Sequence, residues 1–383
     1  MNQTKNIFSG SQSTMTLMAL IVTIVLLFMA ACSSDSDSLS EPELQAPITF
    51  GASLPKNTNV EAGTRAEGLE TANTEFTVWA YKNKAVSGEG TTTSPYNYGD
   101  LQTVMLQYKV QWTANTANTT TTNTNDWEYI GLSDQTIKYW DIDAKAYRFF
   151  GYALGKATDD PATSIVPVSN DVSSNTATLS AIVDASSDAT IAAAPYFTRL
   201  WFSNNALGMI PYRSTVQLEF IKPFAKVRVM FIFAEGVQID HSSLTDISFK
   251  PTDATKQIPQ KGTVTATYPL IGTETTEIIS ATPTDYLAAI TQDYWEGAQG
   301  DPAHLTWYTV LPATQDSYTM SVNVGGNDKI TYVPGEYMDW KAGYEYTYIF
   351  KILEGGGFVF DEVQVGIKNW NNAETFNHPV YNW

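Results

Sequence analysis

The sequence predicts an all-β protein built as two tandem β-sandwich domains, and three observations point there. The chain carries 21 Tyr, 17 Phe and 10 Trp with abundant Thr, a bias that favours strands over helices. Short apolar or alternating runs recur along it, separated by turn-rich links, and no helical heptad interrupts them. With 383 residues and 43% hydrophobic content it can bury a large core, divided most naturally between two domains. A single cysteine permits no intramolecular disulfide, so packing alone must hold the fold.

Taken in order, residues 1–14 are polar for the most part. Met15 to Ala31 is then an uncharged apolar run, borderline in length for a membrane span. The small residues at its end suggest a cleavage site instead, which makes 1–31 a signal peptide. The only cysteine, Cys32, sits at that boundary between Ala30-Ala31 and Ser33-Ser34, and the step resembles a bacterial lipobox. The resemblance implies that Cys32 is lipidated and becomes the new N-terminus, with enough buried CH₂ to anchor the protein stably. Residues 32–45, rich in Ser, Asp and Glu, are too polar to pack and are expected to form a disordered tether.

Ile48 to Ala52 is a short strand candidate, followed by a polar loop, Asn57 to Glu70, that contains Thr64-Arg65-Ala66. Phe76 to Tyr81 is the next strand, and Met105 to Trp112 another. Thr113 to Asp126 is low-complexity and expected to be an exposed loop. The aromatic clusters Trp127-Glu128-Tyr129, Lys138-Tyr139-Trp140 and Tyr147 to Ala153 follow. Residues 155–195 are mostly small and polar, and predict loops with one weak strand at Ala177 to Val183. Val216 to Phe220 alternates cleanly until Lys222-Pro223 interrupts, since proline cannot donate to a sheet ladder. Ala225 to Phe233 is an apolar strand, and further strands are expected at 244–249, 262–268, 305–311, 318–324 and 329–333.

The clearest pattern closes the chain. Tyr344, Tyr346, Tyr348, Phe350 and Ile352 occupy alternate positions, so one face of a strand is aromatic and apolar. After Gly355-Gly356-Gly357 the alternation resumes at Val363, Val365 and Ile367. This predicts an antiparallel hairpin over 344–370 with Val365 and Ile367 in the core.

Chemistry finds no foothold. There is no Gly-x-Ser-x-Gly, no His-Glu-x-x-His and no phosphate-binding glycine loop. His241, His304 and His378 stand apart, without a second ligand at metal spacing. None of the 40 acidic residues occupies a distinctive setting. The aromatics fall in phase with strand cores, where packing is the commoner role than sugar stacking. The expectation is therefore a protein that is not an enzyme and carries no cofactor and no metal. A net charge of −18 argues against nucleic acid, because phosphate contacts need Lys and Arg.

These features together resemble the fimbrillin-like family, the surface lipoproteins and type V pilus subunits of anaerobic Gram-negative gut and oral bacteria. The resemblance is carried by Trp340-x-x-Gly343-x-x-Tyr346-x-Tyr348, by Val78-Trp79-Ala80-Tyr81, by Tyr152-Ala153, by Ala225-Lys226-Val227 and by Thr64-Arg65-Ala66. It implies two transthyretin-like sandwiches, 46–215 and 216–383, behind the signal peptide and tether. It implies an outer-membrane, lipid-anchored protein at the cell surface that becomes part of a fimbrium once processed. In pilus-forming members a protease cuts after the matching arginine, which implies cleavage between Arg65 and Ala66. That cut would release the strand containing Ile48 and Phe50, and a donor strand would replace it. Phe376, Val380, Tyr381 and Trp383 of the tail are candidate plugs for a neighbouring subunit. The expected partners are other pilus subunits, the outer membrane through the lipid, and a host or bacterial surface glycan or protein. The alternative is a carbohydrate-binding surface lipoprotein of a glycan-uptake system.

Overall fold

The β-prone segments become strands because their apolar residues recur at the pleat period; burial follows that period over Thr176–Asp184, while Glu75–Asn83, Ala146–Ala153 and Tyr344–Ile352 are buried on both faces. In the computed structural model the described residues are 46–54, 75–84, 96–112, 127–129, 135–156, 165–173, 175–204, 215–237, 243–292, 303–304 and 306–367. The signal peptide, the tether with Cys32, Arg65, Ala66 and the tail plugs Phe376, Val380, Tyr381 and Trp383 lie outside them. Pro47–Trp383 forms one unit. Among the described residues no helix is long and apolar enough to cross a membrane.

The first half contributes β1 (Thr49–Ser53), β2 (Glu75–Asn83), β3 (Leu101–Trp112), β4 (Trp127–Glu128) and β5 (Ala146–Ala153). Next come β6 (Ser169–Val172), β7 (Thr176–Asp184), the helix α1 (Asp188–Ala193), β8 (Tyr196–Thr198), β9 (Trp201–Asn204) and β10 (Thr215–Ile221). Past Pro223 follow β11 (Ala225–Phe233), β12 (Leu244–Pro251), β13 (Ile258–Pro269), β14 (Ile278–Leu287) and β15 (Ile290–Gln292). The short β16 (Ala303–His304), β17 (Tyr308–Val310) and β18 (Ala313–Thr314) precede β19 (Tyr318–Val324) and β20 (Asn327–Val333). The described chain closes with β21 (Asp339–Trp340), β22 (Tyr344–Ile352) and β23 (Phe358–Ile367).

The architecture is nearly all β, as expected. One sheet runs β1-β10-β8-β5-β2-β3-β4, with β9 also on β5. The sheet β14-β13-β7-β6 packs against it, with Trp79, Phe150, Leu179, Val264 and Tyr268 in a shared core. The sheets β16-β11-β22-β23 and β15-β12-β19-β20 enclose a second core around Val229, Phe249, Met320, Tyr348 and Phe350. β7 and β13 pair from Lys261↔Asp184 to Pro269↔Thr176, so one sheet draws strands from both sequence halves.

The described residues between 165 and 195 hold more regular structure than the loops expected over 155–195. β7 is a full strand whose Ala177, Leu179, Ala181 and Val183 are buried. Ser187 and Thr190 form a capping box that starts α1, although the segment is small and polar. Conversely, the strand expected over 305–311 narrows to Tyr308–Val310.

The closing hairpin pairs β22 with β23 from Tyr344↔Ile367 to Ile352↔Phe358, and Gly355 and Gly356 take positive φ in the turn. Its aromatic motif has a physical basis. Gly343 turns with φ +81°, and its N–H donates to the Phe224 carbonyl at 2.8 Å. The Trp340 indole N–H donates to the Tyr348 hydroxyl at 2.9 Å, and that hydroxyl donates to the Tyr337 carbonyl at 2.7 Å. The expectation for Val365 fails: it is 50% exposed. It has the core-facing phase, but β23 is the sheet edge, and beyond Val363 none of the described residues buries that face. The Ile367 side chain lies outside the described residues.

Candidate functional site

The site begins at β1, which the sequence offers as a short strand and the fold encloses. Ile48, Phe50 and Leu54 are each at most 1% exposed and Ala52 is buried, so alternate side chains point into the core. β1 runs parallel to β10 from Thr49↔Thr215 to Ser53↔Glu219. Thr49 Oγ1 donates to Thr215 Oγ1 at 3.2 Å. The other edge is closed near its start, where the Ile48 N–H donates to the Lys138 carbonyl at 2.8 Å and Pro47 bridges Tyr139.

Phe50 is the anchor. Its ring meets Phe76, Tyr129 and Phe149 edge to face, at 5.9, 5.8 and 5.9 Å between centroids. Phe76 in turn packs on Phe220 of β10 at 5.2 Å. The Tyr129 hydroxyl donates to the Ile48 carbonyl at 3.0 Å and accepts from the Lys138 N–H at 3.1 Å. Burial pushes that phenol up to about 12, so it keeps the proton it donates. Gly51 is a close approach: a Cβ there would lie 2.2 Å from the Gln217 carboxamide oxygen, so any larger residue must push that side chain aside. Removing β1 would bare the backbone edge of β10 and a slot floored by aromatic rings.

Two buried cations went unread in the sequence, Lys222 in the junction after β10 and Arg148 on β5. Lys222 is 2% exposed, and its amine donates to the Ala192 carbonyl at 3.1 Å and to the Ala194 carbonyl, satisfying the end of α1. It also lies 4.0 Å from the Tyr196 ring centroid. Burial pushes its pKa down to about 7. Arg148 is fully buried between the Tyr96 and Phe202 rings, and donates to Asn83 Oδ1 at 2.9 Å and the Gly272 carbonyl at 2.6 Å. The available signal for Arg148 was a cation inside the unbroken aromatic run Ala146 to Ala153. Lys222 gave only the Lys-Pro interruption.

A cleft of ≈ 1090 Å³ opens along β14 and the β18–β21 ribbon, lined by Arg199, Lys256, Glu277, Tyr286, Lys341 and Tyr344 among others. Arg199 closes one wall through Glu219 of β10 at 3.0 Å and Glu277 at 3.2 Å. Tyr286 is 44% exposed there. Among the described residues, no three His, Cys, Asp or Glu side chains gather as a metal site.

The model of the fimbrillin-like family matches residues 64–370. No curated protein sequence matches the chain. Among solved structures, a fimbrial protein of Bacteroides vulgatus is 14% identical, with a TM-score of 0.37 over 84% of this chain and 99% of that one. Proteins provisionally assigned to cell adhesion come from Bacteroides uniformis and Bacteroides ovatus. The first is 15% identical at TM-score 0.35 over 85% and 98% of the two chains. The second is 12% identical at TM-score 0.36 over 84% and 97%.

Proposed function

Because the chain belongs to the fimbrillin-like family, we propose that it is a lipid-anchored pilus subunit or adhesin whose assembly site is the slot filled by β1. The family places it at the cell surface and gives it a structural rather than a catalytic role. A cut between Arg65 and Ala66 would separate β1, and the lipid on Cys32 upstream of it, from a body beginning at Ala66. The strand would then be held only by its contacts. An extended segment of a neighbouring subunit would take its place by β-augmentation, through backbone pairing to β10 and side chains in the vacated pockets.

The observation that carries this reading is that β1 lies N-terminal to the candidate cut and buries Ile48, Phe50 and Leu54 almost completely. At about 1.5–3 kcal/mol for each such side chain, the contacts are worth roughly 5–9 kcal/mol before ordering costs. That suffices to keep β1 seated while it is covalently tethered. Once it is a separate peptide, a competitor of similar fit can displace it. The test is to cut the purified precursor with an arginine-specific protease and look for loss of the N-terminal fragment and for SDS-resistant ladders. Arg65→Ala should abolish both. A cut body that keeps β1 and stays monomeric at high concentration overturns strand exchange and leaves an anchored adhesin.

A second reading, a glycan-binding surface lipoprotein, draws on the cleft beside β14, which combines the exposed Tyr286 ring with polar neighbours. Glycan-array binding that disappears in Tyr286→Ala would favour it. An array without signal would remove it.

A further inference from the structure

We propose that the β1 slot selects its incoming strand by the alternate inward pattern Ile48-Phe50-Ala52-Leu54, and therefore takes a strand of a different polypeptide rather than this chain's own segment 371–383. This rests on strand exchange at β1 as read above. The slot is described by its present occupant, so the pockets are known from what fills them. They are an aliphatic site at Ile48, an aromatic site at Phe50, a small site at Ala52 and an aliphatic site at Leu54, all buried. The Phe50 site is the most restrictive, being walled by the rings of Phe76, Tyr129 and Phe149.

The sequence Asn371 to Trp383, NNAETFNHPVYNW, can be laid against that pattern in either direction. Seating Phe376 at the Phe50 site puts Glu374 and His378 into the Ile48 and Ala52 sites, one way round or the other. Seating Tyr381 there with the polarity of β1 puts Pro379 at the Ile48 site and Trp383 at the Ala52 site. With the polarity reversed, Pro379 falls at the Ala52 site and Asn377 at the Leu54 site. Each of these four registers therefore buries an unpaired polar or ionised group, or forces an indole into space occupied by a methyl group. Pro379 also removes a ladder donor wherever it falls. A matching donor carries aliphatic, aromatic, small and aliphatic residues at every second position, with a small residue after the aromatic one because Gln217 lies over Gly51.

The experiment uses the full chain cut after Arg65 and three fluorescein-labelled peptides. They are residues 47–55 (PITFGASLP), the same peptide with Phe50→Glu, and residues 371–383. Each is offered to the cut body in mild urea and followed by fluorescence anisotropy. The expected result is that 47–55 exchanges into the slot, while the other two bind about 100-fold more weakly. Binding of 371–383 within tenfold of 47–55 overturns the selectivity and leaves strand exchange standing. If no peptide exchanges and the N-terminal fragment stays on the body, exchange itself fails and the selectivity falls with it.

Discussion

Truncating Phe50 to alanine tests the slot most directly. The ring is fully buried and touches three other rings edge to face, so Phe50→Ala removes apolar burial and all three contacts together. Core Phe→Ala changes cost about 3–5 kcal/mol, and a site walled by rigid aromatic rings has little freedom to collapse around the cavity. Melting entropy scales with length, so in a chain of this size each kcal/mol moves the melting temperature by about 1–2 °C, and the expected fall is on the order of 5 °C. Thr49→Ala, which removes a part-buried hydroxyl contact to Thr215, is the control and should cost about 1 kcal/mol or less. The assay is urea unfolding followed by tryptophan fluorescence. Cutting after Arg65 should then shed the N-terminal fragment from Phe50→Ala at lower urea than from wild type. A Phe50→Ala protein within about 1 kcal/mol of wild type would refute the reasoning, because β1 would then contribute nothing to the cooperative unit.

Three further outcomes follow from the same geometry. Burial alone would raise the pKa of Asp141, but hydrogen bonds from Lys82 at 2.6 Å and Lys84 at 2.7 Å outweigh it and hold the pKa near 2. Its folded pKa is depressed, so its contribution is present above about pH 4 and is lost as pH falls toward 2. Asp141→Asn should therefore cost on the order of 1 kcal/mol at neutral pH and flatten the acid limb of a stability titration. Lys222 is also depressed, to about 7, so between pH 7 and 10.5 the unfolded state binds more protons and stability rises with pH. That rise should be absent in Lys222→Met, and an unchanged slope in urea midpoints would show that Lys222 does not titrate there. Val365→Asp should cost less than about 1 kcal/mol by thermal melting, since the side chain is half in water at a sheet edge.

What the sequence made legible was whatever is local. The shared face of Tyr344 to Ile352 holds, because the pleat fixes which residues lie together, although Glu345, Thr347 and Ile349 opposite are buried too. The strands at Phe76 to Tyr81 and Ile48 to Ala52 were legible as strands, though not which of their faces turns inward. Pairing was not. Nothing in Ile48 to Ala52 names Thr215–Ile221 as its partner, and nothing in Ala177 to Val183 names Ile258–Pro269. Depth was hidden too, because Val363 and Val365 share a phase and differ only in what covers them. The buried cations were opaque because Lys222 is stabilised by carbonyls at the end of a helix that polar residues 155–195 did not announce. Cys32, Arg65 and the tail remain expectations drawn from residues alone.

The parallel seat of β1 also has a consequence in time. Thr49 finds its partner Thr215 166 residues further on, so the slot cannot close until the chain is built through β10. The entropy of closing a loop grows with its length, and contacts so distant are expected to form after the local hairpins β2–β3 and β22–β23. A strand that docks late contributes little to the folding transition state and mainly restrains unfolding. Changes in β1 should then alter how long the folded protein lasts and leave almost untouched how fast it folds. The element best suited to being exchanged is thus the one whose departure retraces only the last step of assembly.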